Sequence, residues 1–165
     1  MNPVHNIVKN YCLGKFCAVF DYVILLKLPI MDSRSKNLLD IRPEIKQAQL
    51  YDSMGLDERF QNQTLRPVIK LQNFLLVEVF KNYIHKHKDA FYELSLEKRL
   101  GYIERAIQKD IKFRNSLKGM VIGQFTVEEY QTYTLNSSAL NKRMMNMVIE
   151  RLKDQVQLLE NEVLV

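Results

Sequence analysis

The residues best suited to acid–base, nucleophilic or metal chemistry are three histidines and two cysteines, and their spacing brings few of them together. His85 and His87 stand two apart. On a helix such residues point in different directions, so they cannot share a metal as residues four apart can. The expected arrangement is an exposed His85 and a half-buried His87 at a helix end, where positive charge is favoured. Cys12 and Cys17 lie near the N-terminus with His5, short of the further Cys or His that a zinc site takes. No Glu-x-x-His occurs, which removes the di-metal carboxylate site that a helical bundle can hold. Asp110 has Arg114 four residues on, the spacing of a surface ion pair. Glu128 and Glu129 fit helix capping better than paired catalysis, and no serine has a His partner within the helical body. The residue inventory weighs against an enzyme and implies no metal and no cofactor.

Cations offer a second kind of chemistry. The chain has a formal net charge of +5, and residues 81–118 hold ten Lys/Arg against five Asp/Glu, while residues 119–165 hold four against six. Arg105, Lys109 and Lys112 fall on one face of a continuous helix, with Lys98 a turn or two earlier, and Arg114 and Lys118 lie around the side. Such a stripe could track phosphates. Glu97, Glu104 and Asp110 are interleaved with it, which is equally the pattern of a solvated face. No helix-turn-helix spacing or aromatic stacking platform accompanies it.

The elements that must position these groups are helical. Gly and Pro together number nine, too few to punctuate a many-stranded sheet protein. Hydrophobic residues at 47% and charged residues at 26% suit one globular domain with a real core. Leu65, Val68, Ile69, Gln72, Leu76, Val79, Phe80, Tyr83 and His87 recur at helical spacing, which predicts a long amphipathic helix over 57–88. Leu75 and Val77 widen its stripe, so it should be covered on more than one side. Pro67 either sits in a first turn with Thr64 as N-cap or, the preferred reading, kinks a helix already begun at Asp57. Ser95 is a candidate N-cap for a second long helix, whose apolar positions continue from Leu96 through Phe125. Gly119 and Gly123, four apart, would let another backbone approach. Thr126-Val127-Glu128-Glu129 reads as a capping box opening a short helix. A last helix is predicted over 139–160, with Leu140, Met144, Val148, Leu152 and Leu159 on one face. The fold class predicted is all-α: an up-down antiparallel bundle of three long helices plus one or two short ones.

The domain is expected to span 57–162, after a polar lead-in over 31–56 that holds one short helix near Pro43–Tyr51. Residues 16–26 (FCAVFDYVILL) are the most apolar run. The run is too short to span a bilayer, and it contains Asp21, which suits neither a membrane span nor a signal peptide. Met31 opens a polar, helix-compatible stretch, so residues 1–30 read either as part of the protein or as an over-extended start. A reduced, cytoplasmic setting is expected from the cysteine usage.

From Asp57 to about Glu160 the chain resembles a small all-helical family found in Bacteroidota. The stretches that carry the resemblance are ERFQNQTLRPVIKLQN (Glu58–Asn73), YIERAIQKDIKFRNSLKG (Tyr102–Gly119), IGQFTVEEY (Ile122–Tyr130) and NSSALNKRMMNMVIERL (Asn136–Leu152). Members often carry the label glyoxalase. Metal-dependent glyoxalases resemble either a paired βαβββ fold or a metallo-hydrolase with a His-x-His-x-Asp-His run. This sequence has neither, so the resemblance implies the helical fold and transfers no site residue.

Three functional expectations result. The first is a non-enzymatic, self-associating interaction protein with Leu76, Phe80, Tyr83, Met144, Met145 and Val148 at its interface. The second is a glyoxalase-labelled enzyme or small-ligand binder, its pocket lined from Gln72, Asn73, Tyr102, Arg105, Arg114, Asn115 and Asn141. The third is an RNA- or ribosome-associated protein using the anion-binding face of Lys98, Arg105, Lys109 and Lys112.

Overall fold

The computed structural model describes residues 33–45, 51 and 53–160. Among these there is no strand, and the all-α class holds. No helix among them is long and apolar enough to cross a membrane. His5, Cys12, Cys17 and the apolar run over 16–26 lie outside the described residues. The chain divides between Asp40 and Ile41 into two units. Of the first, the described part is helical over 33–40. The lead-in is therefore split, and its second part belongs to the larger unit. Residues 43–45, at the start of the short helix expected there, are not helical, and residues 46–50 are not described.

The larger unit contains helices α1 (Leu56–Phe60), α2 (Arg66–Leu71), α3 (Asn73–Lys86), α4 (Leu96–Lys109), α5 (Ile111–Ile122), α6 (Val127–Leu135) and α7 (Ser137–Asp154). Two of the three long helices expected from periodicity are interrupted. The first begins at Leu56 but widens into a π-helical turn over Gln61–Leu65, placing Pro67 in the first turn of α2. Proline has no N–H to give the carbonyl four residues back, and its ring would clash with that carbonyl. The wider turn absorbs the misfit where a simple kink was expected. A second irregularity falls at Gln72 (φ −83°, ψ 3°).

The second long helix breaks at Asp110, whose extended backbone (φ −84°, ψ 99°) ends α4 and opens α5. Its carboxylate accepts a 2.9 Å bond from the Phe113 N–H, so Asp110 is an N-cap and not simply the surface partner of Arg114. Ser95 occupies the N-cap position of α4, yet its side chain makes no capping bond. Gly119 serves no close approach, because a Cβ there would meet nothing within 4 Å. The third long helix ends at Asp154 and is followed by a 3-10 turn over Val156–Leu159.

The core is apolar and aromatic. Phe80, fully buried, has Tyr83, Phe91, Tyr102 and Phe113 around it with ring centroids 5.9, 6.2, 6.4 and 6.0 Å away. Helix α7 packs on α3, α4 and α5. Its Leu140, Met144, Met145, Val148, Ile149 and Leu152 are all buried. Met144 and Met145 are unbranched and adaptable, which suits a helix that faces several neighbours at once.

One buried polar cluster ties the start of the unit to its middle. The capping box forms as expected: Glu129 N–H donates to Thr126 Oγ1 (3.2 Å) and Thr126 N–H to Glu129 Oε2 (2.8 Å). Arg42 then donates to both Glu129 oxygens, at 2.5 and 2.8 Å, and to the Gln124 carbonyl at 2.6 Å. Thr64 Oγ1 adds a further bond to Glu129 Oε1 (2.9 Å). Burial alone would raise the Glu129 pKa. The bonds from Arg42, Thr126 and Thr64 outweigh it and hold the carboxyl below its usual value.

Candidate functional site

The interface expected from the apolar stripes does not lie on the surface. Leu76, Phe80, Met144 and Val148 are fully buried and Met145 nearly so, while Tyr83 is partly covered inside the aromatic cluster. Period and hydrophobicity identify which residues are apolar together. They do not say whether the opposing surface belongs to the same chain. The large apolar side chains left outside include Phe74 at 74% exposure and Leu75 at 50%.

The expected pocket residues do not converge on one cavity. Asn73 bonds to Gln155 (3.1 Å), Gln72 sits at the α2–α3 irregularity, and Asn115 is exposed. Arg114 and Asn141 do come together, in a groove of about 460 Å³ between α5 and α7. Lys118 and Lys142 join them, and the floor is Ile107, Met145 and Ile149. No carboxylate lines this groove. Among the described residues none of its three cations has an ion-pair partner, and Arg114 has only a 3.4 Å bond to the Gln108 carbonyl. The Tyr133 hydroxyl donates to Asn141 Oδ1 (3.0 Å), which fixes that amide and leaves its Nδ2 donors without a partner among the described residues. Three unpaired cations, a free amide and an apolar floor can bind an anion that carries apolar surface. A larger cavity, about 650 Å³, sets Glu44, Glu150 and Asp154 against Arg66, Lys70 and Arg151, so it selects neither sign of charge.

The expected anion-binding face is also redistributed. Lys98, Arg105, Lys109 and Lys112 are all exposed. The break at Asp110 puts Lys112 on a different helix, so it no longer continues the face of Arg105 and Lys109. Those two line a second cavity, on the opposite flank of α4 from the groove, with Tyr83, His87 and Tyr102. Lys98 does not line it. His87 is exposed rather than half-buried, and it stacks on Tyr83 with centroids 4.1 Å apart. His85 is exposed beside Asp89, as its helix-end position implies. Tyr83 and Tyr102 have raised pKa values, mainly from burial, with Asp110 adding to the effect at Tyr83.

The groove was only half visible in the sequence. Arg114 and Lys118 are spaced four apart on α5, but Lys142 reaches them only through the packing of α7. Among the described residues no group of three or more His, Cys, Asp or Glu is placed to hold a metal ion. Comparisons with protein-family models, with curated proteins and with solved structures match nothing to this chain.

Proposed function

We propose that this protein is a non-catalytic helical binding module that docks an anionic partner in the groove between α5 and α7. The observation that supports this best is the convergence of Arg114, Lys118 and Lys142 with no carboxylate among them. Like charges four apart on one helix destabilise it by ~0.2–0.5 kcal/mol, and a third cation from α7 adds to the repulsion. A bound anion would relieve that repulsion. Because these cations are at least partly exposed, the binding should depend strongly on salt.

The test uses the full chain with tripolyphosphate and, separately, labelled single-stranded RNA. Binding should be measurable at low salt, fall steeply toward physiological salt, and be lost in the double variant Arg114→Gln/Lys118→Gln. RNA binding without tripolyphosphate binding would identify an extended polyanion as the partner. No binding of either at low salt removes the reading.

Self-association is the second reading, favoured by the adjacent exposed side chains Phe74 and Leu75 on α3. The glyoxalase label carried by members of the family that the chain resembles meets no metal-ligand cluster among the described residues. A lactoylglutathione assay with and without added divalent metal reads glyoxalase activity directly, and turnover would replace the binding reading.

A further inference from the structure

The cavity on the other flank of α4 has a chemistry of its own. His87 ends α3, and its Nδ1 lies 2.8 Å from the Tyr83 carbonyl. A carbonyl only accepts, so Nδ1 carries the proton and the Nε2 of the neutral ring is an acceptor. One face of His87 stacks on Tyr83 (4.1 Å, 29°), and Tyr83 in turn lies against Phe113 (4.1 Å, 31°). The other face of His87 meets no ring among the described residues, and the side chain is exposed. The aromatic column thus ends in an open platform backed by two rings.

Beside the platform stand two cations. Arg105 and Lys109 are one helical turn apart on α4, both exposed, and neither has an ion-pair partner among the described residues. The Arg105 guanidinium lies over Gly101, where a Cβ would come within 3.2 Å of Nη1. Asp110 is the one acid in the cavity. Its carboxylate is already engaged by the Phe113 N–H and lies close to the Tyr83 hydroxyl. The cavity measures about 470 Å³, within the range that takes a small organic ligand.

A simple inorganic anion would not use the aromatic wall, and an uncharged ring would not use the two cations. We propose that this cavity binds a nucleoside monophosphate, its base stacked on the open face of His87 and its phosphate between Arg105 and Lys109. Base–aromatic stacking is sequence-tolerant because every base has a π-face, so purine and pyrimidine ligands should both bind. The site is separate from the groove between α5 and α7, and each can fail without the other.

The test titrates the full chain with AMP, with adenosine and with inorganic phosphate, following the ring resonances of His87, Tyr83 and Tyr102 by NMR, the two tyrosines serving as the probe in the His87→Ala variant. AMP should bind about tenfold or more tightly than either fragment and shift those resonances. His87→Ala and Arg105→Gln should each weaken AMP about tenfold or more, the scale of a lost stacking or charged contact. Both residues are exposed, so the variants should keep the wild-type melting temperature. Arg114→Gln/Lys118→Gln should leave the AMP affinity read at the Tyr83, His87 and Tyr102 rings unchanged, whatever AMP the groove itself takes up. Equal affinity for AMP and phosphate, no AMP binding, or AMP binding that survives His87→Ala and Arg105→Gln would each overturn the proposal.

Discussion

Arg42 and Glu129 are 87 residues apart in sequence and share two hydrogen bonds in a site where their side chains are 6% and 17% exposed. Thr126-x-x-Glu129 was legible because a capping box is local. Arg42 was not, because no local pattern marks a cation in a polar lead-in as the partner of a distant carboxylate. Removing one member of a buried pair leaves the other desolvated, so Arg42→Met should cost about 3 kcal/mol at neutral pH. Thr64 and the Thr126 N–H still bond to Glu129, which keeps the cost near the lower end of the usual range. The sign of the pH dependence follows from the lowered pKa of Glu129. A depressed carboxyl contributes stability that is fully present above its unfolded-state value and is lost as pH falls through the lower folded-state value. The gap between denaturant melts of wild type and Arg42→Met should therefore narrow as pH falls from 7 to 3. A gap that stays constant across that range would mean that the ion pair is not what the substitution removes.

At the level of helices, apolar periodicity runs across breaks that the backbone does not cross. Ile103, Ile107, Leu117 and Val121 are all buried, on both sides of Asp110, because α4 and α5 each turn an apolar face to the same core. Side-chain spacing reports that shared core and is silent about the hydrogen-bond path between the helices. Pro67 was legible as an irregularity, since its chemistry forbids a regular turn; the π-helical form of the accommodation was not. The end of α3 shows a related limit. Asp89 N–H bonds to the Ile84 carbonyl (3.2 Å) and Lys88 N–H to the His85 carbonyl (3.1 Å), the Schellman pattern. Here the left-handed position is Lys88, with φ 60°, followed by Asp89 with φ 55°. Asp tolerates that region better than Lys, so Lys88 carries the larger strain. Lys88→Gly should stabilise the protein by about 0.5–1 kcal/mol, the relief of a left-handed side chain less the extra freedom that Gly gains when unfolded. A lower melting temperature for that variant would show that Lys88 makes a contact worth more than the strain.

For the whole molecule, the basic excess is legible in residues 81–118, and the structure sends Arg105 and Lys109 to one flank of α4 and Arg114 and Lys118 to the groove on the other. Which cations meet depends on the turn at Asp110 and on α7, and neither is encoded in the stripe itself. The same holds for apolar surface. Leu75 and Val77 both widen the stripe of α3, yet Val77 is 2% exposed and Leu75 50%. Self-association through this flank must therefore use Phe74 and Leu75, because Leu76, Phe80, Met144 and Val148 are already inside the core. Covering a fully exposed Phe is worth on the order of 1.5–3 kcal/mol, enough to matter in a weak dimer. Phe74→Glu would place a charge in such a contact, where desolvating it is costly, while leaving the monomer core untouched. Sedimentation from micromolar to millimolar chain should show a wild-type dimer fraction that rises with concentration, and a Phe74→Glu variant that stays monomeric with an unchanged melting temperature. Phe80→Ala is the contrasting variant. It should lose about 3–5 kcal/mol of folding stability, because Phe80 packs within one chain. A wild type that sediments as a monomer throughout would leave the exposed Phe74 and Leu75 without a second copy to cover them, and the self-association reading would end there.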